Sequence, residues 1–496
     1  MGRSHMRTLA LALAFAPALA GAVPSRCDVV LQRLAGQLAD AVCFESPDLT
    51  TNNLNTTPAN NSLPGLPPFA FTPQTDRAVI APGAARKTPI TRVVPGVQIQ
   101  ARFAADPRGQ GRFLLRLPDD WNGSLVVAGA SGTRSEFNGD FAWSDYVVQK
   151  GYAYASQNKG VLNFYVPAAA GADPLACRLN PNLQFFVHFY DNDPGQQFSR
   201  WRDFMVLAAD VAKRGVQARY GHWPRSTYAV GTSNGGYQVR RAVESAPELF
   251  DGGVDWEGTF VDPHAPNILT DLPAAVLNFP DYVAAGLSPT STAAKNIIAA
   301  GYPPDIVAGS TSLWTTYSSS FWEVTACQWQ KRLDPSYDTY GAGLGNYNYV
   351  ARLAVSNVAA QLASFATTGR IQRPLITVAG TMDALLPIDH HARAYARLVR
   401  DPDSDGDVDR EHGSGRGRGN APYRLYEIQN GNHVDSNADI FPQLQPIEPH
   451  AQRAFDLLVR FVEQRTPLPP DQCVARGGLI VDAPSPAGKC AVLFAP

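Results

Sequence analysis

The run TYAVGTSNGGYQ, Thr227 to Gln238, sets one serine, Ser233, between a β-rich stretch and two glycines, Gly235 and Gly236, with Gly231 two residues before it. An ordinary strand-to-helix loop does not need three glycines around one hydroxyl. A turn that holds a nucleophile in a strained backbone conformation with its oxygen unshaded does. Upstream, RWRDFMVLAADVAKRGVQARYG has apolar residues at Phe204, Leu207, Ala208 and Val211, a helical spacing, and it delivers the chain to the strand STYAVGTS. A strand ending at Ser233 and a helix starting near Gly235 put the hydroxyl at the carboxyl edge of a sheet, where open α/β folds bind ligands.

Working outward, VQIQARF and GRFLLRLP alternate as strands, and GSLVVAGASG is a buried strand breaking into a Gly/Ser loop. WSDYVVQKG then YAYASQN reads as helix then strand, and GGVDWEGTF supplies a strand after the serine's helix. The rhythm breaks over residues 262–370, rich in Pro, Ser, Thr and aromatics such as Trp314, Tyr317, Phe321, Trp322 and Trp329, which reads as an inserted cap. It resumes with RPLITVAGTMDALLP, HHARAYARLVR, YRLYEIQNGNHVD and PHAQRAFDLLVRFVEQ. Strand and helix in alternation imply an α/β protein with a mostly parallel central sheet flanked by helices.

The remaining segments frame this core. Residues 1–22, with Arg7 ahead of TLALALAFAPALAGA, read as a signal peptide. Residues 23–100 read as an N-terminal irregular segment because 45–95 is dominated by Pro, Asn and Thr. The core is expected over 101–261 and 371–466, and 467–496 as a disulfide-stapled tail. Six cysteines fit an exported chain, secreted or periplasmic. Many connectivities are open to them, the simplest pairing Cys27 with Cys43, Cys473 with Cys490, and Cys177 with Cys327. A net charge of −2 with scattered Lys and Arg offers no face for nucleic acid, and no run after the leader is long and apolar enough to span a bilayer.

A serine hydroxyl is a weak nucleophile at neutral pH, so it needs a base, and the base needs a third group to fix its tautomer. Asp383 follows the strand LITVAG and His433 follows LYEIQ, each past a strand's carboxyl end on the edge that carries Ser233. Asp255 and Glu257, after the preceding strand, are alternative acids, and His450 is an alternative base inside the last helical pattern. Ser, Asp, His is the chain order of the α/β-hydrolases.

Over residues 110–465 the chain resembles an α/β-hydrolase fold enzyme, and GTSNGGYQVRRAVESAPELFDGGVDWEG is similar to secreted esterases near the tannase/feruloyl esterase and 3-hydroxybutyrate-oligomer hydrolase groups. The resemblance implies Ser233 as nucleophile, Asp383 as orienting acid and His433 as base. Tannase-type enzymes join a cysteine before the nucleophile to one after the histidine; Thr232 and Val434 stand there in this chain. Acyl transfer also needs two N–H donors for the developing oxyanion, and these are assigned to Asn234, directly after the nucleophile, and to Ser131 in AGASG, in preference to Ala130. The expected activity is hydrolysis of aromatic (phenolic) or oligomeric hydroxyacid esters, without a catalytic cofactor. A peptidase and a non-catalytic binding protein are the alternatives on the same fold. The cap aromatics and LQFFVHFY at residues 183–190 read either as packing or as a wall for the acyl group.

One further motif stands apart. DPDSDGDVDREH places Asp401, Asp403, Asp405, Asp407 and Asp409 in alternation around Gly406, as in calcium loops of the EF-hand kind, but with His412 where a bidentate Glu is expected. It reads as a solvated acidic loop or as a weak structural calcium site.

Overall fold

The computed structural model describes residues 25–53, 88–161, 198–400 and 422–496, apart from 133–135, 138, 265 and 338–343, together with the short strands Phe164–Tyr165 and Phe186–Val187. The leader, Cys177, most of 183–190 and the acidic run from Asp401 to Asp409 lie outside the described residues.

Ten strands form the central sheet: β1 (Leu38–Ser46), β2 (Gly96–Phe103), β3 (Arg112–Pro118), β4 (Ser124–Gly129), β5 (Ala153–Gln157), β6 (Ser226–Thr232), β7 (Gly252–Trp256), β8 (Leu375–Gly380), β9 (Tyr423–Ile428) and β10 (Gln472–Val474). Their spatial order is β1-β2-β3-β5-β4-β6-β7-β8-β9-β10. Pairing is antiparallel from β1 to β5 and parallel from β5 through β10. An antiparallel strand beside a crossed-over pair, followed by parallel strands stepping outward, is the topology of the α/β-hydrolase fold.

Every residue of β4 and β8 is buried, because helices cover both faces of the sheet. Side chains alternate between those faces with period two. Leu125, Val127, Ala229 and Leu375 pack on one side with helices α1 (Arg26–Leu34), α2 (Ser199–Tyr220), α3 (Asn234–Ser245) and α6 (Ala392–Arg400). Val126, Tyr228, Val230, Ile376 and Val378 face Ala451, Phe455 and Leu458 of α7 (Glu448–Gln464) on the other. Gly215 in α2 is what lets that helix close on its neighbours: a Cβ there would lie 2.6 Å from Leu115 Cδ2 and 3.5 Å from Leu34 Cδ1.

Two expectations about the flanks are corrected. Residues 23–100 are not all irregular. The Ser25–Asp28 capping box starts α1, the Cys27–Cys43 disulfide ties α1 to β1, and β1 and β2 extend the sheet. Composition hid this, because the Pro/Asn/Thr-rich stretch between β1 and β2 dominates the window. The C-terminal stretch is more than a stapled tail. The Cys473–Cys490 disulfide is present, but β10 pairs in parallel with β9, and Asn430 exchanges hydrogen bonds with Ala495 at 2.6 and 2.7 Å. Cys327 is also disulfide-bonded.

Between β7 and β8 the chain leaves the sheet to build helical elements that include α4 (Ile268–Ala284) and α5 (Glu323–Leu333). They enclose a second apolar core of Leu272, Tyr282, Trp314, Trp322 and Trp329, which continues into Met382, Leu385 and Phe441 of the loops at the sheet's carboxyl edge. No described helix is long and apolar enough to cross a membrane.

Candidate active site

β6 runs directly into α3, and the residue at the corner, Ser233, has φ 59° and ψ −123°. For a residue with a Cβ this is a strained conformation, and it persists only where the surroundings over-determine it. The glycines supply that constraint. A Cβ on Gly231 would sit 2.3 Å from the Gly235 carbonyl oxygen, and one on Gly235 would sit 2.5 Å from that of Gly129, so any side chain would force α3 off the sheet. The Ser233 amide is held by the Trp256 carbonyl of β7 at 2.9 Å.

The other predicted residues converge on this corner. His433 Nε2 lies 3.0 Å from Ser233 Oγ, and His433 Nδ1 lies 2.7 Å from Asp383 Oδ2. Asp383 is fixed by its second oxygen, which accepts the amides of Leu385 and Leu386 at 2.8 and 2.7 Å. All three side chains are buried. His450, the alternative base, is buried within α7 and has no hydrogen bond to Ser233.

The two alternative acids separate. Asp255 Oδ2 accepts from Arg240 Nε at 2.6 Å and from Thr377 Oγ1 at 2.8 Å, while Oδ1 takes the Gly258 amide at 2.7 Å, so its oxygens are committed beneath α3. Glu257 Oε2 instead reaches to 3.6 Å from His433 Nδ1. Burial, and then the charge of Asp383, push the Glu257 carboxyl well above the usual range, so it favours the protonated form.

The loop after β4 is pinned from two sides. Gln238 Oε1, one turn into α3, accepts the Ala130 amide at 2.8 Å. The Lys159 ammonium, fully buried after β5, donates to the carbonyls of Ser131 and Gly132, the latter at 2.6 Å. Neither Gln238, at the end of the nucleophile run, nor Lys159 carries a signal in the sequence for this role, since each lies far along the chain from the loop it holds. Asn234 opens α3, where backbone N–H groups have no intrahelical acceptor, and its side chain accepts from Thr259 Oγ1 at 2.9 Å.

The cap takes part through hydrogen bonds as well as apolar contact. Tyr317 Oη donates to Asn432 Oδ1 at 2.7 Å, and Asn432 Nδ2 donates to the Met382 carbonyl at 2.6 Å. Trp322 Nε1 donates to the Ala384 carbonyl at 2.7 Å. Tyr317 and Trp322 are thus buried supports of the His433 and Asp383 loops, and the same burial removes them from the set of aromatics that could face an acyl group.

Among the described residues, the carboxylate and imidazole group compact enough to surround a cation is Glu257, Asp383 and His433. Its imidazole is already spanned by Asp383 on Nδ1 and Ser233 on Nε2, which is a hydrogen-bonded relay. The predicted calcium ligands Asp401, Asp403, Asp405, Asp407 and Asp409 lie outside the described residues.

Residues 308–489, a stretch that includes Asp383 and His433, match the family model of 3HB-oligomer hydrolase. A D-(-)-3-hydroxybutyrate oligomer hydrolase of Ralstonia nicotianae is 31% identical over 134 residues, 25% of this chain and 16% of that protein. The mono(2-hydroxyethyl) terephthalate hydrolase of Piscinibacter sakaiensis is 26% identical over 141 residues, 28% of this chain and 22% of that protein. These matches span less than a quarter of the length of either relative. An esterase from Aspergillus oryzae superposes with a TM-score of 0.47 at 15% identity, over 89% of this chain and 90% of that one.

Proposed function

We propose that the protein is a serine-dependent carboxylic ester hydrolase working through an acyl-enzyme. The observation that carries this reading is the unbroken relay from Ser233 Oγ through His433 to Asp383, with contacts of 3.0 and 2.7 Å. In the proposed reaction Ser233 Oγ attacks the ester carbonyl while His433 Nε2 accepts its proton. The imidazolium that forms is stabilised by Asp383, whose second oxygen is already fixed by two amides and cannot swing away. The tetrahedral oxyanion is assigned to the amides of Asn234 and Ser131. Ala130 is the weaker choice for the second donor because its amide is given to Gln238. Collapse passes the proton from His433 to the departing alcohol, and a water activated by the same base then releases the acid.

Oligomeric hydroxyacid esters and aromatic esters are the proposed substrates, supported by the partial similarity to a 3-hydroxybutyrate oligomer hydrolase and a terephthalate monoester hydrolase. Export is proposed from the leader-like residues 1–22, and disulfides suited to an oxidising compartment support it.

The test is hydrolysis across acetyl, feruloyl, galloyl, terephthalate, 3-hydroxybutyrate-oligomer and peptide substrates, with Ser233→Ala beside the parent. Turnover of one or more esters, with loss of about 10³-fold or more in the serine variant, supports the reading. Parent-like ester turnover by Ser233→Ala, or cleavage of peptides alone, overturns it.

A further inference from the structure

The proposed triad uses one carboxyl, yet two reach the imidazole. Glu257 follows β7 with φ 50°, a left-handed conformation that an ordinary side chain rarely adopts, and its amide is held by the Val378 carbonyl at 2.9 Å. Its side chain is 1% exposed. Oε1 accepts the Gly380 amide at 2.8 Å. Oε2 has no hydrogen-bond partner among the described residues and points at the edge of His433, 3.6 Å from the nitrogen on which Asp383 closes to 2.7 Å. A buried polar atom left without a partner is costly, and a strained backbone that presents it to a catalytic imidazole calls for an explanation.

We propose that Glu257 is a second acid for His433, a proton-holding positioning residue that accepts the Nδ1–H bond whenever Asp383 cannot. The proposal rests on the triad reading above. In the resting state burial, and then the neighbouring Asp383, keep the proton on Glu257. The groups that face Glu257 agree with this. Asp383 and Asp435 contribute negative charge, while the Tyr317 hydroxyl and the Trp256 indole are neutral. Replacing Asp383 by Asn removes the main repulsion. Burial, the larger cause, remains, so Glu257 gives its proton to solvent as pH rises and then becomes the carboxylate beside Nδ1. In that variant the amide oxygen of the introduced side chain can still take the Leu385 and Leu386 amides, which turns its NH₂ toward His433 and favours the wrong tautomer; the Glu257 carboxylate opposes that tautomer by accepting Nδ1–H.

The experiment compares the parent with Asp383→Asn, Glu257→Gln and the double variant, reading kcat/KM on p-nitrophenyl acetate from about pH 6 to 10. Glu257→Gln is isosteric and keeps the acceptor for Gly380, and circular dichroism checks its fold. Asp383→Asn should lose about 10²-fold where removal of a sole orienting acid costs about 10⁴-fold, and its remaining activity should rise with pH as Glu257 ionises. The double variant should fall a further factor of about 10², while Glu257→Gln alone costs about tenfold at most. A double variant no worse than Asp383→Asn, with a flat pH profile in that single variant, would overturn the proposal. An NMR readout separates this outcome from failure of the functional reading. The low-field Nδ1–H proton of His433 should persist in Asp383→Asn and vanish in the double variant, whether or not any ester is turned over. Its loss already in Asp383→Asn overturns the role given to Glu257.

Discussion

Arg240 Nε and Asp255 Oδ2 meet at 2.6 Å with both side chains fully buried between α3 and the sheet. The guanidinium also stacks over Tyr395, 4.2 Å from the ring centre. This pair occupies the acid that sequence alone could have assigned to the histidine. Asp255→Asn should therefore act on the fold. It strands the buried Arg240 charge, and breaking such a pair costs about 3–5 kcal/mol. Denaturant midpoints should show that loss, and kcat of the folded fraction should fall far less than in Asp383→Asn. The reverse ranking would return the orienting acid to β7.

Lys159 gives a second prediction, because its ammonium holds the Ser131 and Gly132 carbonyls and so sets the orientation of the proposed oxyanion loop. Lys159→Met should lower kcat by about 10²-fold, the scale of losing one oxyanion donor, and leave KM little changed. Lys159→Arg, which keeps the charge and donors, should recover part of the loss. An equal effect on kcat and KM would show that the lysine shapes substrate binding.

Acid stability should carry the signature of His450. Burial in α7 lowers its pKa to about 4, below the roughly 6.5 of an unfolded histidine. Between those values the unfolded chain binds a proton that the folded chain refuses, so this contribution is complete above about pH 6.5 and drains away as pH falls toward 4. The full span is worth about 3 kcal/mol. Urea midpoints at pH 7.5 and 4.5 should therefore draw closer together in His450→Leu than in the parent. An identical acid loss in both would remove His450 as a cause.

The Cys473–Cys490 disulfide closes a loop of sequence separation 17 at the sheet edge, where Cys490 also donates its amide to Glu427 at 2.8 Å. Replacing both cysteines by serine should cost about 3 kcal/mol, the loop-closure scale for this length. Because Asn430 and Thr381 both bond the segment beyond Cys490, the loss should extend to the loops after β8 and β9. Hydrogen exchange that quickens only within 473–490 would confine the disulfide's role to its own loop.

The strand ends, the nucleophile turn and the order of serine, acid and histidine were legible in the sequence because each is a local property. Continuous apolar runs bounded by glycine mark LITVAG and STYAVGT as central strands, and three glycines around Ser233 announce a turn without room for side chains. What became of the two alternative acids was not legible, since it depends on where side chains point once strands lie side by side. Asp255, still inside β7, points beneath α3 and is met by Arg240; Glu257, past the strand end with positive φ, is turned toward His433. The supports of the site were equally hidden. Tyr317, Trp322, Lys159 and Gln238 reach the triad and oxyanion loops from distant parts of the chain, and only tertiary packing, in which most buried polar groups find partners, decides which loop each one grips.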